Sequence, residues 1–218
     1  RDESASPSVL GYEIVAHLGS GSLGDVKLGV CPRTGERVAI KMVDRAKASA
    51  RQLEQSDNEV CALRALAGAP HCLQLKAADA RTAETRPAAP RGEPAREVFA
   101  LVTEFAEYGD LFELIDAGGA FSEPAAKAIM RQLIAGLRAF DGRGVVAHRD
   151  LKPENLLVRG DGELVVADFN LSAHSNVDDA RTPERERRRR AAIHRDALLH
   201  SACGSRSYMA PEVLSGAD

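Results

Sequence analysis

Up to about residue 105 the apolar positions fall in short runs broken by turn residues; beyond it they recur at helical spacing. Tyr12 to Leu18 predicts a strand entering a glycine-rich turn, and Val26 to Val30 predicts its return. Arg37 to Val43 predicts a third strand, set off by the hairpin punctuation Pro32-Arg33-Thr34-Gly35-Glu36. Residues 49–67 have helical spacing, with Leu53, Val60, Leu63 and Leu66 on one face. Two strands follow, at about 73–78 and 98–103. The stretch 79–97 between them is rich in Ala, Arg, Pro and Glu without period and reads as a solvated, disordered insert. Asp110 to Ala117 predicts a short helix, and Ser122-Glu123-Pro124 opens a longer one. Ser122 suits the N-cap, and Pro124 is tolerated in a first turn whose N–H groups have no helical partner. Ile129, Leu133, Ile134 and Leu137 then form an apolar stripe suited to a helical core. The expected fold class is α+β: a small β-rich lobe with one main helix, followed by a larger, largely helical lobe, with no internal repeat.

Composition narrows this picture without redirecting it. A chain of 218 residues can bury a substantial core, in one large domain or two small ones. Its 44% hydrophobic and 28% charged content is ordinary for a soluble globular protein. A formal net charge of −3 gives no reason to expect nucleic acid as an obligate partner. No apolar run approaches the roughly 20 residues of a membrane span, so no membrane partner is expected either. The chain starts at Arg1 with neither an initiator Met nor a basic-then-apolar leader, which reads as an excised piece without a visible signal peptide. Cys31, Cys61, Cys72 and Cys203 lack any Cys-x-x-Cys spacing. Free thiols in a reducing cytoplasm or nucleus are therefore expected rather than a zinc site.

The chemistry is concentrated in His148-Arg149-Asp150-Leu151-Lys152-Pro153-Glu154-Asn155. A carboxylate, an ammonium and an amide at these offsets are the equipment for moving a phosphate onto a hydroxyl. Asp150 can accept the hydroxyl proton, Lys152 can neutralise charge on the transferring group, and Asn155 can hold a metal ion. Gly19-Ser20-Gly21-Ser22-Leu23-Gly24-Asp25-Val26 fits Gly-x-Gly-x-x-Gly-x-Val. Its glycines let backbone approach phosphate oxygens closely, and Val26 supplies an apolar lid for a base. Taken alone it is a glycine turn, and its strand-turn-strand setting argues against a dinucleotide fold, where the glycines lead into a helix.

These segments resemble the eukaryotic protein kinases, and Lys152 resembles the serine/threonine branch; tyrosine kinases usually carry Ala and Arg in this segment. The resemblance covers residues 11–218, as an N-lobe (11–103), a hinge (104–109) and a partial C-lobe (110–218), with disordered inserts at about 79–97 and 176–199. It implies a bilobal fold with ATP bound between the lobes and magnesium as the metal. In Val38-Ala39-Ile40-Lys41, Lys41 would bind the α and β phosphates and Ala39 would pack on the adenine. Glu59 would pair with Lys41, with Glu54 a competitor on the same helix. Leu18 and Leu157 would join the nucleotide-binding set with Gly19, Gly21, Gly24 and Val26. Thr103 would be the gatekeeper, and backbone groups of Glu104 and Ala106 would bind the base. Asp110 would meet the ribose or a basic substrate side chain, or serve simply as a helix N-cap; the two roles are compatible.

Asp168-Phe169-Asn170 lies 18 positions after Asp150 and resembles the metal-binding Asp-Phe-Gly, with Asp168 as the ligand. Asn170 departs from the family's Gly. Asn tolerates left-handed backbone, so the change reads as mild, while it bears on how easily the segment flips. Ala147 is one residue more than expected between Gly144 and His148. Cys203-Gly204-Ser205-Arg206-Ser207-Tyr208-Met209-Ala210-Pro211-Glu212 matches the end of an activation segment. Ser205 would contact Asp150 and Lys152, and Glu212 belongs to the closing Ala-Pro-Glu. Ser201 sits where an upstream activating kinase would place a phosphate, opposite Arg149, or is an ordinary loop serine. The basic block Arg185-Glu186-Arg187-Arg188-Arg189-Arg190 reads as part of a solvated insert, with a targeting or docking role as the alternative. His194-Arg195-Asp196 repeats the catalytic triplet by letter only.

The implied activity is ATP-dependent phosphorylation of protein Ser or Thr. The Gly109-Asp110-Leu111-Phe112 wording looks most like the calcium/calmodulin-dependent group, which leaves calmodulin open as a partner; acidic Asp110 and Glu154 would favour an Arg upstream of the target. A nucleotide-binding pseudokinase or scaffold is the alternative, favoured by Asn170 and opposed by the intact Lys41, Asp150, Asn155 and Asp168. A small-molecule phosphotransferase would lack the Ala-Pro-Glu segment. The chain ends six residues after Glu212, where the family continues for several helices. The segment alone is therefore expected to expose apolar surface, to leave Glu212 unpaired, and to be poorly stable and inactive.

Overall fold

The structure is a computed structural model that describes residues 6–21, 23–84, 96–174 and 203–215. The fold is α+β, with a β-rich N-terminal lobe and a helical C-terminal region. Two compact units are present, residues 1–60 with 74–106, and residues 61–73 with 107–218.

The first unit is built on β1 (Ser8–Val9), β2 (Tyr12–Gly21), β3 (Gly24–Val30), β4 (Arg37–Asp44), β5 (Leu75–Glu84) and β6 (Arg96–Glu104). They form one antiparallel sheet in the order β1-β2-β3-β4-β6-β5. Alternation along the strands divides the sheet's chemistry. Val38, Ile40 and Met42 of β4 join Val98, Ala100 and Val102 of β6 and Val9 in a buried apolar cluster. The intervening residues must point to the other face. Ala39 and Lys41 are therefore displayed there, with Thr103 and Leu101 directly opposite them on β6.

Helix α1 (Ala50–Ala65) follows β4, close to the expected 49–67. Strand β5 is longer than the sequence suggested, because residues 79–84 are strand rather than solvated insert. Asp79 to Glu84 has no apolar alternation, and its place in the sheet comes from backbone pairing and from Glu84. That carboxylate is buried, 3.1 Å from Lys27 and 3.6 Å from Arg96, while Arg96 also holds Asp44 at 3.0 Å. Residues 85–95 of the same expected insert lie outside the described residues, as does the whole of 176–199 with its basic block and His194-Arg195-Asp196.

In the second unit, α2 (Leu111–Gly118) starts at the N-cap Asp110, whose Oδ1 accepts the Glu113 N–H at 2.8 Å. Helix α3 (Glu123–Arg138) starts at Ser122, which is in cap position without a side-chain hydrogen bond. The apolar stripe of α3 is not a sealed core among the described residues: Ile134 is 44% exposed, while Gly136 is the buried position and sits against His71 and Val166. A Cβ there would approach the His71 carbonyl oxygen to 2.7 Å, so the absence of a side chain sets this packing. Short strands complete the unit: β7 (Val145–Ala147) with β10 (Ala173–His174), and β8 (Leu156–Val158) with β9 (Leu164–Val166). Ala147, the extra residue of the sequence pattern, pairs with Ala173. Helix α4 (Pro211–Ser215) is the last described element.

Candidate active site

The site groups of the first unit share one sheet face. Lys41 lies opposite Val26 on β3 and Leu101 on β6, and Ala39 lies opposite Leu28 and Thr103. Lys41 Nζ donates to Glu59 Oε2 at 2.7 Å; Glu59 is buried and Glu54 is exposed. The hairpin β2–β3 pairs Gly19 with Val26 and Gly21 with Gly24, and Leu18 is exposed on β2. Gly24 has φ 150°, and a Cβ there would overlap the Met42 carbonyl oxygen, so this position admits only glycine without rearrangement. Leu23, at the hairpin tip, is buried. Thr103 and Ala106 are buried, and the Glu104 N–H donates to the Gln74 carbonyl at 3.0 Å.

The second unit gathers the residues expected to carry phosphoryl transfer. The backbone turns sharply at Arg149 (φ 68°), and a 3-10 turn over Pro153–Asn155 brings Asn155 back towards Asp150. Asn155 Nδ2 donates to the Asp150 carbonyl oxygen at 2.8 Å and to its Oδ2 at 3.2 Å. Lys152 Nζ lies 3.2 Å from the same Oδ2. The other oxygen, Oδ1, accepts the Ser205 N–H at 2.7 Å and its hydroxyl at 2.8 Å. Lys152 closes the loop by donating to Ser205 Oγ at 3.0 Å. Burial pushes the Asp150 carboxyl up, but the Ser205 and Lys152 hydrogen bonds outweigh it, so its pKa lies below the ordinary 3.8. Asp150 is accordingly a carboxylate, an acceptor, at neutral pH.

His148 carries a structural role that the motif alone did not assign. It is buried against the Phe169 ring, with centroids 4.9 Å apart. Its Nε2 is 2.8 Å from the Ala167 carbonyl oxygen, and its Nδ1 faces the Asp150 N–H at 3.3 Å. A carbonyl can only accept and an N–H can only donate, so the imidazole is neutral with its proton on Nε2. Burial lowers its pKa from 6.5 in the same sense. Its position at the head of the motif was the available signal.

Asp168 takes the left-handed backbone (φ 59°), and Asn170 sits buried in a 3-10 turn over Phe169–Leu171. Asn170 does not itself take the left-handed backbone that Asn tolerates; that conformation is borne by Asp168, two residues earlier. Phe169 is fully buried, edge-on to Phe140. Leu157 lies in β8 and forms a lone bridge with Asp110, whose carboxylate is committed to the α2 N-terminus. Glu154 is exposed. Glu212 falls in α4, and Ser201 lies outside the described residues. Gly204 (φ 109°) passes so near the Arg149 carbonyl oxygen that a Cβ would overlap it, which seats Ser205 on Asp150. Asp150 and Ser205 both line a cavity of about 260 Å³.

Comparison with known proteins points the same way. Residues 12–218 match the protein kinase domain family model. CBL-interacting serine/threonine-protein kinase 26 of Arabidopsis thaliana is 35% identical over 205 residues, covering 94% of this chain and 40% of that protein. CBL-interacting protein kinase 16 of Oryza sativa subsp. japonica is 37% identical over 216 residues, covering 98% of this chain and 40% of that protein. The chain thus spans about two fifths of the length of these curated relatives.

Proposed function

The chain belongs to the protein kinase domain family, and on that footing we propose that the protein transfers the γ-phosphoryl group of ATP to serine and threonine hydroxyls of other proteins. The observation that carries this reading is the setting of Asp150: an ionised carboxylate with Lys152 and Asn155 on one oxygen and a serine hydroxyl on the other. Asp150 accepts the acceptor's proton, and Lys152 neutralises charge on the phosphoryl group as it moves. Lys41, aimed by Glu59, anchors the α and β phosphates. Val26, Ala39 and Thr103, grouped on one sheet face, receive the base together with backbone of Glu104 and Ala106.

Asn155 and Asp168 fit magnesium, a hard cation that takes oxygen ligands. Asn155 spends its Nδ2 on Asp150, so the atom it offers a cation is Oδ1. Bound magnesium would offset the phosphate charge. The nucleotide-binding scaffold without transfer is the weaker reading, because Lys41, Asp150, Asn155 and Asp168 are all present and the Lys41–Glu59 and Asp150–Asn155 contacts are formed.

Finer features belong to the same proposal. The Gly-Asp-Leu-Phe wording supports membership of the calcium/calmodulin-dependent group. The relatives are named for interacting with CBL, which supports a regulatory protein of that kind as a partner alongside calmodulin. Ser201 supports an upstream activating kinase, and the free cysteines support a cytoplasmic or nuclear setting. Exposed Glu154 supports a preference for an Arg upstream of the acceptor. The test is transfer of labelled phosphate from ATP to peptide series with Ser, Thr or Tyr acceptors, each with and without that Arg. Phosphoserine and phosphothreonine, enhanced by the Arg, are expected. Transfer to Tyr alone would overturn the main reading, and indifference to the Arg would remove the substrate preference.

A further inference from the structure

We infer that His174 is a positioning residue for the turn that presents Asp168: through the Ser172 hydroxyl it holds the Phe169 carbonyl in place. The inference rests on the reading of Asp168 as a magnesium ligand proposed above.

Asp168 needs such support. Its φ of 59° is a left-handed conformation that a residue with a Cβ disfavours, and that persists only where the surroundings over-determine it. The 3-10 turn over Phe169–Leu171 starts from this residue and closes when the Ser172 N–H donates to the Phe169 carbonyl at 3.0 Å. Ser172 is buried, and its Oγ lies 2.6 Å from the same carbonyl oxygen and 2.9 Å from His174 Nε2. Two oxygens approach to 2.6 Å only with a hydrogen between them, so the hydroxyl hydrogen is committed to Phe169. Ser172 Oγ can then only accept from His174, which puts a proton on Nε2. The result is a relay of donors, from imidazole to hydroxyl to carbonyl, that ends on the turn.

The outer end of the relay is fixed by main chain. His174 lies in β10 opposite Val145 of β7, the strand that leads into the catalytic loop. From that loop, Arg149 Nε donates to the Leu171 carbonyl at 2.6 Å, so the turn is gripped from outside at both of its ends. Burial, and then the Arg149 charge, lowers the His174 pKa from 6.5, which keeps the ring neutral at neutral pH. The alternative is that Ser172 merely satisfies a half-buried imidazole. For that, the hydroxyl would donate to an unprotonated Nε2; its hydrogen points instead to Phe169, and the imidazole is the donor.

The test measures binding of a non-hydrolysable ATP analogue to the intact protein by calorimetry, with and without magnesium, beside urea midpoints that confirm folding. The parent should bind the analogue more tightly with magnesium. His174→Leu and Ser172→Ala should each cut that gain about fivefold, the scale of one net hydrogen bond, and leave the magnesium-free affinity unchanged. Combining them should cut it no further, because both break one relay. His174→Gln, whose side-chain amide can donate where Nε2 stands, should restore most of the gain. Ser172→Ala removes only a hydroxyl and decides the matter if His174→Leu does not fold. A full magnesium gain in the folded variants would overturn the inference and leave the kinase reading standing. Equal losses in His174→Gln and His174→Leu, or losses that add in the double variant, would refute the relay. A folded parent whose nucleotide affinity ignores magnesium would end the inference together with the magnesium reading of Asp168.

Discussion

At the residue scale, a single atom decides what a backbone crossing permits. Gly24 cannot carry a Cβ without overlapping the Met42 carbonyl, and its φ of 150° is strained for any L side chain. Gly24→Ala should therefore cost about 1–3 kcal/mol, the scale of one strained backbone position. The expected result is a lower urea midpoint at unchanged slope; a midpoint equal to that of the parent would show that the hairpin yields freely. The glycine was legible as part of a phosphate-loop pattern, but its steric reason was not, because Met42 is brought to it by strand pairing. Asp168 is the opposite case. Its expected role as a metal ligand came from the resemblance to Asp-Phe-Gly, while its left-handed backbone had no sequence signal, since attention falls naturally on the Asn170 that departs from the family.

Elements bounded by side-chain chemistry were read most closely. The short helix expected at Asp110 to Ala117 is Leu111–Gly118, because Asp110 supplies a cap that polar patterning reveals. Asp110→Ala should destabilise the protein by about 1 kcal/mol, while Asp110→Asn, which keeps the cap oxygen, should retain most of the stability. Equal denaturation midpoints for Ala and Asn would contradict the cap assignment. The outer half of β5 was not legible. Asp79 to Glu84 looks solvated because it is charged, yet Glu84 is drawn into the sheet by Lys27 and Arg96. The two- and three-residue strands β7 to β10 are too short to carry any period. For α3 the bounds were close, but periodicity cannot say which apolar positions are covered, and Met130 and Ile134 are exposed among the described residues.

At the scale of the whole molecule, imidazoles whose pKa is lowered couple folding to pH. Burial lowers the pKa of His148 from 6.5, and burial with the Arg149 charge lowers that of His174. A folded pKa below the unfolded one means that the unfolded chain binds more protons. This stability is thus fully present above about pH 6.5 and lost as pH falls through the lowered folded values. Urea denaturation at about pH 7.5 and about pH 5.5 should show greater stability at the higher pH. His148→Gln with His174→Gln should flatten that difference; a parent protein more stable at the lower pH would contradict the burial account. Fold class and family were legible because the specific catalytic-loop motif and the weaker motifs around it agree on one chemistry. What joins them in space, such as His148 behind Asp150 or Ser205 across from it, depends on backbone turns that residue identity does not display. The central claim is that Asp150 is the base of a phosphoryl transfer, and its most direct test is single-turnover transfer from labelled ATP to a Ser/Thr protein acceptor by parent and Asp150→Asn. The expected result is a transfer rate lower by about 10²- to 10⁴-fold with ATP binding retained. A rate unaffected by the substitution would contradict the account.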